Sequence, residues 1–483
     1  MRLSPRRLAA LFAFACAWFV LALGGTADLQ TPFVTQPYLQ LGSRFADGSL
    51  SVVWHAPRQA PPAVVEWRYA STDAWAGAAI VDRLDMSDRT VFEAALAVGR
   101  TGRAFEYRVR SGGAAAFTGR GTAPAPADAS FGFAVIGDGG DGGPEQRALA
   151  ARLMTERAAG NVQLVILAGD LVYDCGQREE YDERFFPVYN GDAVATGVPL
   201  MRDVPFAGAV GNHDVGDKGF WLFDRCAPDY SYFAFWKHPA GFAAPLPITR
   251  ASPPHQPRKG SVFAGSAMTR VLTRATFSFD WGGAHFVVLD SNKYVDWADK
   301  GLVARLEQDL SRATAARWRF VVFHHPPFNL SGRHEEQQWM RVLAPVFERY
   351  RVSVVFAGHV HNFQWFGPAT FAPDAEARAR FAGGPRRRLP GVATLQQDYD
   401  GAGNTRATAP VYIVSGAGGH GLKDQAMQCP EDLVPRPADC TRRAVVDGST
   451  ASATIVSVAP DALRIRQVGA DGRSILTRTL TGR

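Results

Sequence analysis

Five short clusters in this chain carry side chains able to hold metal ions. They are Asp138 in Gly-Asp-Gly-Gly, Asp170 and Tyr173 in Gly-Asp-Leu-Val-Tyr, and Asn212 and His213 in Gly-Asn-His-Asp. His324 follows in Val-Val-Phe-His-His-Pro-Pro, then His359 and His361 in Gly-His-Val-His. Carboxylate, phenolate, amide oxygen and imidazole make an oxygen and nitrogen donor set, suited to Fe, Mn or Zn rather than to a thiolate site. Singly, each cluster is explained by a turn or a capped loop. Five in order, each at the end of an apolar run, point to one site. Asp170, with a second donor three residues later, is the natural carboxylate to bridge two ions. Two ions about 3.5–4 Å apart can bind a phosphoryl oxygen and generate hydroxide for in-line attack.

The elements that must position these residues are apolar runs at 131–136, 162–167, 206–210, 286–289, 320–323, 352–356 and 411–414, with a helix expected from 144 to 159. Runs apolar throughout are strands covered on both faces, which with intervening helices means α/β layering. Ligands in such folds gather beyond the carboxyl ends of strands. From residue 30 to about 122 the pattern has period two instead: Leu50, Val52 and Trp54, then Phe105, Tyr107 and Val109. That predicts a small antiparallel sandwich. The alternative is that these strands extend a larger sheet downstream, and the Ala-Pro-Ala-Pro-Ala stretch at 123–127 argues for a boundary. The division expected is a signal at 1–27, a β-sandwich at 28–123, a linker at 124–130 and a catalytic domain at 131–483 that takes in C-terminal strands. Residues 366–409, rich in Gly, Pro and Arg, read as a long surface insertion. Its run Arg386-Arg387-Arg388 either attracts anionic substrates or is simply solvated.

With 483 residues, 46% hydrophobic and 20% charged, the chain buries a sizeable core, which excludes wholesale disorder. A mean hydropathy of −0.11 and a single long apolar run exclude a multi-pass membrane protein. That run, 8–23, follows Arg2, Arg6 and Arg7 and precedes Gly-Gly-Thr-Ala, the order of a secretory signal cleaved after Ala27. The alternative is an uncleaved membrane anchor. Cleavage implies a secreted or periplasmic protein with no integral membrane domain, and lowers the net charge from +6 to +3. No nucleic-acid partner is indicated. Export leaves Cys175, Cys226, Cys429 and Cys440 in an oxidising compartment, where structural bridges are expected. Three pairings exist. Cys429 with Cys440 is the local one, and Cys175 with Cys226 would follow.

The motif set resembles the calcineurin-like metallophosphoesterases and, within them, the purple acid phosphatases, whose pattern is GDxG, GDxxY, GNH(D/E), VxxH and GHxH. Gly140 stands where most of the superfamily has His, and Tyr173 appears three residues after the second Asp, the exchange that marks the purple subgroup. The resemblance implies a four-layer α/β/β/α sandwich, and residues 28–123 resemble the fibronectin type III-like domain of the larger plant-type enzymes. It places Asp138, Tyr173 and His361 on a ferric ion, Asp170 as the bridge, and Asn212, His324 and His359 on a divalent Fe, Zn or Mn. His213 becomes the proton donor to the leaving alkoxide, with metal hydroxide attacking. Arg333 and His334 stand where the family has a phosphate-contacting His, although a solvated loop opening a helix from Glu335 to Tyr350 explains them equally. His325 reads as a support behind a ligand or as structural, and His420, in Gly-Gly-His-Gly, either lines the site or caps a turn, with the turn favoured. The function implied is an exported acid phosphatase acting on small phosphate monoesters. The alternatives are a phosphodiesterase or nucleotide hydrolase on the same site, or a binding protein with a vestigial one. Oligomeric state is not legible.

Overall fold

The structure, a computed structural model, describes residues 32–482 apart from 70–72, 113, 193–195, 218–225, 243, 259–263, 382–383, 385, 423–431 and 435–444. The expected signal at 1–27, Cys429 and Cys440 lie outside the described residues.

Seven strands open the fold: β1 (Thr35–Gln40), β2 (Leu50–Pro57), β3 (Ala63–Tyr69), β4 (Ala76–Asp85), β5 (Arg89–Leu96), β6 (Ala104–Ser111) and β7 (Ala114–Thr122). One face is β1-β2-β5 and the other β3-β6-β7, with β4 pairing to both β5 and β3. The period-two residues do what their spacing predicts. Leu50, Val52 and Trp54 pack with Phe105, Tyr107 and Val109 in one buried cluster.

The central sheet is β8 (Phe131–Ile136), β9 (Leu164–Ala168) and β10 (Phe206–Ala209), all parallel. Three C-terminal strands extend it: β18 (Ser452–Val458), which pairs antiparallel with β8, then β19 (Ala462–Gly469) and β20 (Ser474–Thr481). A second sheet is built on β11 (Phe277–Trp281), β12 (Ala284–Val288), β13 (Trp318–Val322), β14 (Val354–Ala357) and β17 (Val411–Ser415), with β12-β13-β14-β17 parallel. The sheets meet face to face through Phe133, Phe286 and Phe320, whose ring centroids are 5.0–5.1 Å apart. Outer faces carry helices. Pro144–Ala158 buries Leu149 and Leu153, and Lys300–Arg312 buries Leu302, Leu306 and Leu310 at four-residue spacing. The side chain of Asp299 caps the latter by accepting the Leu302 N–H at 2.8 Å. The result is the four-layer α/β/β/α arrangement behind a β-rich module.

Three details depart from the sequence reading. First, β1 pairs in parallel with β10 through Gln40 and Phe206, so the amino-terminal strands share one continuous sheet path with the centre. The stretch after them is docked: Ala125 is buried and its carbonyl accepts the Gly282 N–H at 3.2 Å. Second, residues 366–409 are a folded arm. They continue strand β15 (Phe363–Pro373), form the helix Ala375–Phe381 and add β16 (Gly391–Leu395), burying Phe371, Phe381 and Leu389. Third, the helix expected from Glu335 is two 3-10 turns, Gly332–Gln337 and Trp339–Leu343, before the α-helix Ala344–Arg349.

Candidate metal centre

Parallel strands end on the same side, so β8, β9 and β10 deliver Asp138, Asp170 and Asn212–His213 to one edge. β13 and β14 deliver His324 and His359–His361 to the facing edge. Three of these residues follow a glycine and hold left-handed backbone, with φ of 60° at Asp138, 52° at Asp170 and 70° at His359. Such conformations are uncommon outside glycine and persist where surroundings over-determine them. The glycines themselves make room. A Cβ on Gly358 would lie 2.5 Å from Asp138 Oδ2, and one on Gly211 would lie 2.2 Å from Asp170 Oδ1.

The side chains fall into two groups. In the first, Tyr173 donates from its hydroxyl to Asp138 Oδ1 at 3.2 Å and lies 3.3 Å from His361 Nε2. In the second, Asn212 Oδ1 is 3.0 Å from both His324 Nε2 and His359 Nδ1. Asp170 lies between. Its Oδ2 is 3.2 Å from His324 Nε2, Oδ1 accepts the His213 N–H at 2.9 Å, and one oxygen is within 4.8 Å of an Asp138 oxygen. All seven expected ligands are thus brought together.

Donor set and electrostatics fit cations. Asp138 and Asp170 are essentially fully buried, and among the described residues their ion-pair partners are His361 and His324. Burial, then the charge of Asp170, pushes the Asp138 carboxyl well above its ordinary range, even though His324 opposes the shift. Burial and both carboxylates likewise push the Tyr173 phenol up. Burial would lower His324, but Asp170 outweighs it and lifts the imidazole to about 9. Burial and then His420 push His361 down to about 3. Buried anionic groups crowded in this way are costly unless a cation compensates them.

Ring tautomers follow from partners behind the site. His324 Nδ1 donates to the Ala168 carbonyl at 2.8 Å, which turns Nε2 inward toward Asn212 and Asp170. His359 Nε2 donates to Gln337 Oε1, which leaves Nδ1 facing Asn212. The same Gln337 oxygen accepts from His334 Nδ1 at 2.6 Å. His334 stands at the rim, its ring centroid 4.7 Å from that of His359, whereas Arg333 is exposed on the same turn. His213 is half-buried. Its Nδ1 donates to the Asp174 carbonyl at 2.9 Å, and its ring packs on Tyr173 with centroids 4.4 Å apart.

Several site residues escaped the sequence reading. Ser291 accepts the N–H groups of His324 and His325 and bonds His325 Nδ1 at 2.9 Å, so His325, although crowded against His324 and His359, has that nitrogen committed. Asp214 accepts the N–H groups of Gly211 and Leu171 and the Tyr181 hydroxyl, tying the second and third motifs together. His420 lies against Tyr173 rather than only turning the chain. Two arginines of the 386–388 run are structural. Arg386 is buried against Asp296 at 2.9 Å, and Arg388 bridges Asp432 and Glu335, bracing the turn that carries His334 and Gln337. Arg387 is exposed. Of the expected bridges, Cys175–Cys226 is formed, with Cα atoms 5.3 Å apart.

Comparison with known proteins agrees with this geometry. Residues 131–363 match the calcineurin-like phosphoesterase family model. Purple acid phosphatase 23 of Arabidopsis thaliana is 29% identical over 227 residues, covering 42% of this chain and 41% of the relative's own length. The chain therefore aligns with less than half of that relative. In fold, it is similar to purple acid phosphatase PPD1 from yellow lupin (Lupinus luteus) seeds, with TM-score 0.65, 15% identity and coverage of 94% and 75% of the two chains. It is also similar to PhoD, with TM-score 0.54, 13% identity and 94% of each chain covered. Residues 131–363 thus match the calcineurin-like phosphoesterase family, and the chain is similar there to purple acid phosphatases.

Proposed function

We propose that the chain is an exported, dinuclear-metal acid phosphatase that hydrolyses small phosphate monoesters. Asp138, Tyr173 and His361 would hold Fe(III), Asn212, His324 and His359 a divalent Fe, Zn or Mn, and Asp170 would bridge. The observation that carries this reading is Tyr173, whose phenol oxygen lies 3.2 Å from Asp138 and 3.3 Å from His361. A phenolate is a hard anionic donor, which favours a trivalent ion over the softer alternatives. When bound, the ions supply Lewis acidity toward a phosphoryl oxygen and lower the pKa of water. The remaining work falls to the protein. His213, oriented through Nδ1 by the Asp174 carbonyl, presents Nε2 as the proton-carrying atom for the leaving alkoxide. His334 stands at the rim, placed to meet a phosphate oxygen.

The test is a phosphatase and phosphodiesterase panel across pH, with metal analysis and visible absorption on the same preparation. Monoesterase activity at acidic pH is expected, with two metal ions per chain and a phenolate-to-ferric absorption band lost in Tyr173→Phe. Preference for diesters or nucleotides would change the substrate class. A colourless, fully active Zn or Mn enzyme would remove Fe(III) and leave the phosphoesterase.

A further inference from the structure

Residues 416–421, Gly-Ala-Gly-Gly-His-Gly, follow β17 and run beneath the first ligand group. The Gly418 N–H donates to the Gly137 carbonyl and the His420 N–H to the Asp138 carbonyl, both at 2.9 Å. The approach is close enough that a Cβ on Gly416 would lie 2.9 Å from Asp138 Oδ2, and one on Gly418 2.2 Å from the Gly137 oxygen. Out of this strap rises the His420 ring. It lies nearly parallel to the Tyr173 ring, with centroids 3.7 Å apart and planes at 21°, and its edge meets His361 with centroids 5.2 Å apart. On the other flank His420 Nδ1 is 3.4 Å from Asp141 Oδ2, and Asp141 in turn accepts the Gly143 N–H at 2.8 Å. Tyr173 is almost fully buried while His420 is about one-third exposed, so the imidazole is the cover between the phenol and solvent.

We infer that His420 is a positioning residue for Tyr173: stacked on the phenol and anchored by Asp141, it fixes the ring plane and so the first metal pocket. This rests on the metal reading above. A phenol turns about two side-chain torsions, and its oxygen stays beside Asp138 and His361 only while both faces of the ring are packed. Aromatic stacking supplies that restraint for one face, much as partners behind a ligand orient it in other metal sites. Shape rather than proton chemistry does the work, so another flat ring should substitute.

The test uses the full chain loaded with two ions, timing the release of each to a chelator. The variants are His420→Ala, His420→Phe and Asp141→Asn, with circular dichroism and Tm as controls for folding. In His420→Ala one ion should leave roughly 10–100-fold faster, the range typical of lost ligand support, while the other leaves at the wild-type rate. His420→Phe should restore retention, and Asp141→Asn should show a smaller acceleration of the same ion. Wild-type release of both ions from His420→Ala overturns the inference alone, as does a His420→Phe protein as leaky as the alanine variant. A wild-type chain that holds fewer than two ions overturns the metal reading as well.

Discussion

His213 shows how one side chain divides its duties. Its backbone N–H donates to Asp170, its Nδ1 donates to the Asp174 carbonyl, and its ring lies on Tyr173, so Nε2 is the atom left for substrate. Replacing it by Ala should leave the metal content unchanged and lower kcat about 100-fold or more on alkyl phosphates, whose leaving group needs a proton. Loss on 4-nitrophenyl phosphate should be far smaller. Steady-state kinetics on the two substrates checks this, and equal losses would refute the proton-donor role. The ligand residues were legible because each motif places a donor straight after an apolar strand. Ser291 obeys the same rule, following the run 286–289, yet a serine does not announce metal chemistry. Gln337 was hidden, and His420 left open between site and turn, for a different reason. Their significance comes from rings they touch 22 and 247 positions away, and only tertiary packing creates such contacts.

Elements hold the site through a few specific ties. The Cys175–Cys226 bridge pins the segment after Tyr173 to a point 51 residues on, close to the loop of His213. Closing a segment of that length restricts the unfolded chain by roughly 4 kcal/mol in the chain-entropy account. The double variant Cys175→Ser, Cys226→Ser should lose up to about that much in denaturant unfolding. A second tie docks the helix Lys300–Arg312. His285 on β12 lies 2.7 Å from Asp280 and 3.1 Å from Asp309 of the helix. Burial lowers its pKa, but the two carboxylates win and raise it to about 9. The folded pKa exceeds the unfolded value near 6.5, so this contribution is complete below that value and fades as pH rises through about 9. Thermal unfolding should show Tm falling between pH 7 and 10, with the fall reduced in His285→Gln. An equal fall in both proteins would count against the tie. Alternating apolar residues revealed the strands, but a histidine between two carboxylates from separate elements has no signature in local sequence.

At the scale of the whole molecule, α/β layering was readable from the apolar runs, while the four-layer order came from the family resemblance. The join between modules was legible in neither. It is made by long-range polar contacts. Gln40 donates to the Phe235 carbonyl at 3.0 Å, and buried Lys237 reaches Asp82 at 2.8 Å. The proline-rich stretch reads as a linker, but the Pro124 and Ala125 carbonyls accept the Gly102 and Gly282 N–H groups, and Ala123 and Ala125 are buried.

The pairing of β1 with β10 has a practical consequence for dissecting the protein. Were residues 131–483 produced alone, β10 would lose its one register pair with β1, Gln40 opposite Phe206, and stand as a terminal strand beside apolar surface stripped of Tyr38 and Leu39. Exposed strand edges of this kind recruit other chains. The fragment should therefore self-associate, visible by light scattering at concentrations where the full chain is monodisperse, whatever its own catalytic competence. A monodisperse fragment would show that the amino-terminal module is an accessory; aggregation would make it the selvedge that keeps the sheet from fraying into its neighbours.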